Sequence, residues 1–198
     1  MDNNTNKRTL EMKKMHVLQA ATELFSVKSY DATTMSDISK EADVSFGSVA
    51  SYYGNKEALF AICIEQPLGE FVTNFLDFNI SSDSFLDELE KMIKGHLTLF
   101  SKMKVYLRLI VQVIAQHERF PNEFNVIVQH TRLIQNGIAK FIQKGQELGQ
   151  LMDGDGEKLS VAYVNFLFGT VLSYAFNPSR EEQDEFILIA KRMFGPVI

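Results

Sequence analysis

The spacing of apolar residues constrains the fold of this 198-residue chain more than any other feature. Between about Thr9 and Val27 these residues recur at intervals of three and four, which is typical of one buried helical face. The members of this set are Val17, Leu18, Ala21, Leu24 and Phe25. The same spacing continues over 85–100 and 124–148, and 105–116 is a more uniformly apolar helical segment. Since no segment alternates between apolar and polar residues as a strand would, we predict an all-α fold.

Residues that favour helix starts divide the N-terminal part of the chain. Thr34 and Ser45 can each accept a hydrogen bond from a backbone N–H in the first turn of a helix, over about 35–42 and 46–52. Asn55 stands in the same position before a fourth helix. A tight turn between the second and third of these helices is typical of a helix-turn-helix unit.

The C-terminal part has helix boundaries of the same kind. Helix breaks are predicted at Pro121, at 153–156 and at Asn177-Pro178. Ser179, with Glu182 three residues later, predicts a capping box for a last helix that ends at Gly195-Pro196. We therefore expect two domains, a helix-turn-helix domain over 1–60 and a helical domain over 61–198.

Composition excludes some classes of protein and leaves others open. An apolar content of 45% with 16 Phe can fill a substantial core, and a single cysteine, Cys63, cannot form an intramolecular disulfide. The N-terminus carries no apolar export signal and no segment is long enough to span a membrane, so we expect a cytoplasmic protein. The net charge of −5 is unusual for a nucleic-acid-binding protein. Residues 1–60 carry seven Lys and Arg against eight Asp and Glu, so DNA binding would depend on a few placed groups.

The predicted third helix is short and rich in small polar residues. A helix that enters the major groove must bring its exposed face close to base edges and phosphates, and small side chains permit this. Val49 and one of the two tyrosines can turn inward, which leaves the other positions to face DNA. Lys56, in the first turn of the fourth helix, can contribute to an anion site. The candidate DNA-binding residues are Thr34, Ser45, Phe46, Gly47, Ser48, Ser51, Tyr52 and Lys56.

Residues 17–60 resemble the DNA-binding domain of TetR-type (TetR/AcrR) bacterial transcriptional regulators. The matching elements occur in the family's order: Ala20-Ala21, Leu24-Phe25, Tyr30, Thr33-Thr34, Asp37-Ile38, Ala42 to Gly47, and Lys56 to Leu59. The resemblance implies a repressor that binds a palindromic operator as a homodimer, with a C-terminal helical domain that dimerises and binds a small effector. It also implies a protein that is not an enzyme.

Two positions depart from the family pattern. Ser29 stands where the family usually has Gly, so it must adopt a left-handed backbone or the turn must shift. Ala50 stands where the family usually has a phosphate-contacting Tyr, while Tyr52 takes the place of a frequent His or Tyr and Tyr53 replaces a core Phe. With the acidic charge, these departures leave open an alternative, a helical ligand-binding or adaptor protein with a degenerate DNA-reading domain.

The aromatic residues of the C-terminal part have two interpretations. They can fill the core, or they can line a pocket for a small hydrophobic or aromatic effector, because such pockets have aromatic walls with few polar groups. The candidate lining residues are Phe71, Phe75, Phe100, Met103, Tyr106, Phe124 and Phe166.

The last two helices are candidates for an intersubunit four-helix bundle, as the resemblance to TetR-type regulators implies. A buried pair within one chain is the competing interpretation. The candidate dimerisation residues are Phe168, Gly169, Leu172, Ser173, Phe186, Ile189, Ala190 and Met193.

No pattern predicts a cofactor, a metal site or catalysis. The four histidines are scattered, and the calcium-loop-like stretch at 153–157 has Val164 where a bidentate Glu would be needed. We therefore interpret this stretch as a turn and expect no cofactor.

Overall fold

The computed structural model describes residues 2–173 and 179–195, with side chains for 7–170 and 179–195. All regular elements within these ranges are helices, which confirms the predicted all-α fold. They are α1 (Asp2–Ala32), α2 (Met35–Glu41), α3 (Phe46–Tyr53), α4 (Lys56–Phe75), α5 (Phe85–Lys102), α6 (Lys104–Ala115), α7 (Pro121–Glu147), α8 (Gly156–Ser173) and α9 (Arg180–Phe194). None of these described helices is long and apolar enough to cross a membrane.

Side-chain caps set the helix starts, as the sequence predicts. The Thr34 hydroxyl accepts from the Asp37 N–H at 3.1 Å, and the Asp37 carboxylate accepts in return from the Thr34 N–H at 3.0 Å. Ser45 caps α3 by accepting from the Ser48 N–H at 3.1 Å. Asn55 caps α4, because its side-chain oxygen accepts from the Ala58 N–H at 2.8 Å.

At the C-terminal end, Ser179 and Glu182 form the predicted capping box of α9. This helix ends at Gly195, whose backbone is left-handed with φ 53°. The predicted break at Asn177-Pro178 lies outside the described residues. The turn at 153–156 is confirmed: Asp155 accepts from the Lys158 N–H at 3.0 Å and starts α8.

The first helix differs from its prediction at both ends. It runs from Asp2 to Ala32 rather than over 9–27, with a break inside it at Ser29. Apolar spacing marks only the part of a helix that packs on a core, so polar first turns give no such signal. Ser29 adopts φ 73° and ψ 167°, which is the left-handed backbone expected where the family has Gly.

The chain forms two compact units that are not consecutive in sequence. The N-terminal unit contains Met1–Leu68 and Val105–Ile127, and the C-terminal unit contains Gly69–Lys104 and Val128–Ile198. The N-terminal unit thus holds the predicted domain 1–60 together with most of α6 and the start of α7. The predicted domain boundary at residue 60 remains a prediction.

In the N-terminal unit, α1, α2 and α3 pack against one another around Phe25, Ile38 and Val49, which are fully buried. Segment 105–127 joins this unit through long-range hydrogen bonds. The Gln112 amide donates to the Ser26 carbonyl at 2.7 Å, and the Tyr106 hydroxyl donates to the Ile64 carbonyl at 2.8 Å. Cys63 is fully buried here, and burial raises the pKa of its thiol to about 12, so it is an unreactive core residue.

In the C-terminal unit, α5, α8 and α9 contact one another. Phe85 stacks on Phe141 with ring centroids 4.5 Å apart. A Cβ at Gly145 would lie 2.6 Å from the Phe85 ring, so glycine allows this close packing on α7. On the surface, the Lys191 ammonium bonds to the Glu90 carboxylate at 2.7 Å and ties α9 to α5. That bond and a second one from Lys94 hold the pKa of Glu90 at about 2.

Candidate nucleic-acid interface

The recognition face is the exposed side of α3. Val49 is fully buried and fixes the opposite side of the helix against α1 and α2. Gly47 and Ser51 are exposed, and a Cβ at Gly47 would have no atom within 4 Å. Phe46 is 57% exposed, a large apolar side chain without burial at the start of the helix. Apart from Phe46, this side of α3 is slim and accessible, as insertion into a groove requires.

Three of the candidate hydroxyls, those of Thr34, Ser45 and Ser48, have partners within the chain. The Ser45 and Ser48 hydroxyl oxygens lie 2.8 Å apart, in addition to the cap that Ser45 provides. The Thr34 hydroxyl donates to the Asp37 carboxylate at 2.7 Å, and this bond is the main reason that the pKa of Asp37 is lowered. An ionised carboxylate beside Thr34 disfavours a phosphate there. The DNA contacts of Thr34, Ser45 and Ser48 remain predictions. A contact by Ser48 or Thr34 would compete with these local hydrogen bonds.

The two tyrosines at the end of α3 have the same degree of burial but different contacts. Tyr52 is half-buried and directly follows the exposed Ser51 in the sequence. Tyr53 is also half-buried, and its hydroxyl donates to the Lys14 carbonyl at 2.8 Å. This bond joins the last residue of α3 to α1, in agreement with the structural role expected for Tyr53.

Lys56 has a structural role that the sequence does not predict. Its ammonium donates to the Tyr30 carbonyl at 3.0 Å and to the Thr33 carbonyl at 3.1 Å, at the end of α1. It also lies 4.2 Å from the centre of the Tyr30 ring. An ammonium has three N–H donors, so the predicted phosphate contact would use the donor that these two carbonyls leave.

A cluster around Tyr30 joins the helix-turn-helix to segment 105–127. Phe120 packs on Tyr30 and on Phe60, with ring centroids 5.4 Å and 4.8 Å apart. Arg119 forms a two-bond ion pair with Asp31, and this pair lowers the pKa of the Asp31 carboxyl. Sequence reasoning missed this cluster, because its members lie 88 residues apart and no local pattern relates them.

The predicted effector residues are only partly brought together. In the C-terminal unit, the rings of Phe71, Phe75 and Phe100 lie with centroids 5.6 to 6.1 Å apart. Met103 and Phe166 are half-buried in the same unit, and Phe166 contacts Phe186. Tyr106 and Phe124 belong to the N-terminal unit.

The predicted dimerisation residues divide between core and surface. Phe186 and Ala190 are buried within the chain, while Phe168 and Met193 are half-buried. Gly169 is exposed, and Ile189 is 44% exposed. Leu172 and Ser173 lie in the last turn of α8, and their side chains are outside the described residues.

The fold and the accessible third helix define a helix-turn-helix protein, and comparisons with known proteins specify which kind. Residues 17–63 match the family model for bacterial regulatory proteins of the tetR family. A biofilm operon icaADBC negative transcriptional regulator, IcaR of Staphylococcus epidermidis, is 32% identical over 110 residues, which cover 54% of this chain and 56% of that protein. The chain thus spans little more than half the length of this relative.

Two further comparisons extend over most of the chain. The fatty acid metabolism regulator protein of Bacillus subtilis is 22% identical over 161 residues, covering 80% of this chain and 79% of that protein. A tetR-family regulatory protein from Rhodococcus RHA1 superposes with a TM-score of 0.77 at 21% identity, covering 94% of this chain and 98% of its own. Residues 17–63 thus match the tetR family, and the relatives named here are regulators.

Within the described residues, no group of three or more His, Cys, Asp or Glu side chains is arranged to hold a metal ion.

Proposed function

We propose that this protein is a sequence-specific DNA-binding transcriptional repressor, which binds a palindromic operator as a homodimer. The observation that carries the proposal is α3, a capped helix with a buried Val49 on one side and small, accessible residues on the other. The family match over residues 17–63 supports it. In such a dimer, the two recognition helices enter successive major grooves about 34–36 Å apart.

Dimerisation through α8 and α9 is part of this proposal. Large apolar side chains remain accessible on both helices of the single chain, with Val161 at 41%, Leu188 at 49% and Ile189 at 44% exposure. Pairing of these helices between two copies would remove this apolar surface from water.

We further infer that a small hydrophobic effector releases the operator. The ring cluster of Phe71, Phe75 and Phe100 supports an apolar effector, because sites for such ligands are lined mainly by hydrophobic and aromatic side chains. The relative from Bacillus subtilis is named for fatty acid metabolism, so fatty acids of graded chain length are the first compounds to test, with substituted aromatic compounds as the second set. An effector must bind the two conformations with different affinity in order to change operator binding.

The experiment that tests the DNA-reading role is selection of bound fragments from a random duplex library, with wild type and Ser51→Ala compared. Ser51 is exposed on the recognition face and no cap depends on it, so the variant should fold normally. We expect a palindromic consensus for wild type and a changed preference at one position in each half-site, worth about 1–3 kcal/mol of discrimination. An identical consensus for both proteins would contradict base contact by Ser51, and no consensus for wild type would contradict the function.

A further inference from the structure

The first turns of α1 carry a concentration of positive charge that the proposed recognition residues do not include. Residues 1–14 hold Lys7, Arg8, Lys13 and Lys14 against Asp2 and Glu11, in a chain whose overall net charge is −5. This end of the chain is therefore positive while the rest is more acidic than the total indicates. A local excess of positive charge attracts a polyanion such as DNA, even in a protein whose total charge is negative.

The structure places this positive segment beside the recognition helix. The hydrogen bond from the Tyr53 hydroxyl to the Lys14 carbonyl, 2.8 Å long, joins α1 at Lys14 to the last residue of α3. Because α1 is helical from Asp2, Lys7 lies two turns, about 10 Å, before this junction. The segment is therefore a continuous helix whose last residue, Lys14, is bonded to the end of α3.

The side chains of the segment are available for a contact. Lys7, Arg8 and Lys13 are all exposed. Lys14 is different, because its ammonium lies 3.6 Å from the Glu11 carboxylate and its side chain is 36% exposed. Three cations on two helical turns are therefore exposed to solvent, in the part of α1 that leads to its bond with α3.

We propose that Lys7, Arg8 and Lys13 form a second, sequence-independent contact with the phosphates of DNA that flanks the operator half-site. The inference rests on the proposed function and adds a surface to it. Each neutralised phosphate releases condensed counterions, so this contact contributes to affinity without reading bases. It also offsets the repulsion between DNA and the net negative charge of the chain, because it provides positive side chains at the DNA contact.

The test is the salt dependence of binding by a triple variant, Lys7→Gln, Arg8→Gln and Lys13→Gln. The logarithm of the binding constant falls with the logarithm of salt concentration by about 0.9 per phosphate contact. We expect the slope to become shallower by about two to three units, with the same selected consensus as wild type. Circular dichroism of the free variant reports whether α1 remains helical.

A matched control removes the same charge elsewhere, with Lys102→Gln, Arg132→Gln and Lys140→Gln, all exposed positions of the C-terminal unit. We expect this control to keep the wild-type slope. A complementary variant, Glu11→Gln, removes the carboxylate that faces Lys14 and should steepen the slope by up to about one unit.

The outcomes separate the inference from the function on which it rests. If wild type binds its consensus and the triple variant has the wild-type slope, the first turns of α1 are only a solvated helix end and the inference is wrong. Equal losses in the triple variant and the control would show a general charge effect and would also overturn it. Failure of wild type to bind any duplex at low salt contradicts the proposed function itself.

Discussion

Some single residues in this chain destabilise the folded state through backbone strain or through burial of an ionisable group, and local sequence patterns predict this only in part. Ser29 is the clearest case, since its φ of 73° and ψ of 167° lie in a region that essentially only glycine occupies without strain. The Thr33 hydroxyl donates to the Ser29 carbonyl at 2.8 Å and helps to hold this conformation. The family resemblance identifies Ser29 as the residue that stands where Gly is usual. The structure shows that the backbone at Ser29 keeps the conformation that glycine would adopt.

Replacing Ser29 with Gly should stabilise the protein. The change relieves strain of about 1–3 kcal/mol, and the greater freedom of glycine in the unfolded chain offsets about 0.5–1 kcal/mol of that. We expect the free energy of unfolding in urea to rise by about 1 kcal/mol. Ser29→Ala keeps the Cβ and serves as the control, with a change within about 0.5 kcal/mol. A lower free energy of unfolding for Ser29→Gly would contradict the strain at this position.

His96 is a buried residue whose role no sequence pattern predicts. Its Nε2 lies 2.6 Å from the carbonyl of Phe75, the last residue of α4, and its Nδ1 lies 2.8 Å from the Tyr163 hydroxyl. A carbonyl can only accept, so Nε2 carries a hydrogen. Burial lowers the pKa of His96 to about 4, so the imidazole is neutral near pH 7 and its Nδ1 accepts from the Tyr163 hydroxyl.

Stability should depend on pH through this group. Between the ordinary pKa of 6.5 and the folded value of about 4, the unfolded chain binds a proton at His96 that the folded chain does not. The free energy of unfolding therefore falls as pH falls through this window. In His96→Gln this contribution is absent, so we expect a shallower decline by up to about one proton, measured by urea unfolding at a series of pH values. Parallel pH profiles for the two proteins would refute the assignment.

At the scale of helices, sequence predicted the elements well and their long-range partners poorly. Caps at Thr34, Ser45, Asn55 and Ser179 are local interactions over three residues, and the structure confirms all four. The attachment of segment 105–127 to the N-terminal unit depends on bonds such as Gln112 to Ser26, which are 86 residues apart. A single sequence contains no periodic or capping signal for such pairs.

A substitution of Lys56, at the start of α4, tests its contributions to folding stability and to DNA binding separately. Lys56→Gln removes a charged donor that closes the end of α1, and hydrogen bonds from charged groups are worth about 1.5–3 kcal/mol when shielded from water. Since this side chain is half-buried, we expect the free energy of unfolding to fall by about 1 kcal/mol. If Lys56 also contacts phosphate, the salt slope of DNA binding becomes shallower by about one unit.

The two readouts for Lys56 are independent. A loss of stability with an unchanged salt slope would assign Lys56 to the fold alone and reject its predicted phosphate contact. A changed slope without a loss of stability would show that the bonds to Tyr30 and Thr33 add little in solution.

At the scale of the whole molecule, the chain combines a helix-turn-helix that has a slim third helix with a C-terminal unit that is proposed to pair. The capped third helix and its buried Val49 could be predicted from sequence, because helix caps and apolar spacing are local features. The effector and dimerisation residues could be predicted less well, because aromatic residues in a helical bundle have the same spacing whether they fill a core, line a pocket or meet a second chain.

The most direct test of the central claim is the mass of the complex between the purified protein and its selected duplex, measured by sedimentation as salt is varied. We predict two chains bound to each duplex that contains the palindrome, and weak binding, without defined stoichiometry, to a scrambled duplex of the same length. A single chain per duplex, or equal binding to the selected and scrambled sequences across the salt range, would contradict the account.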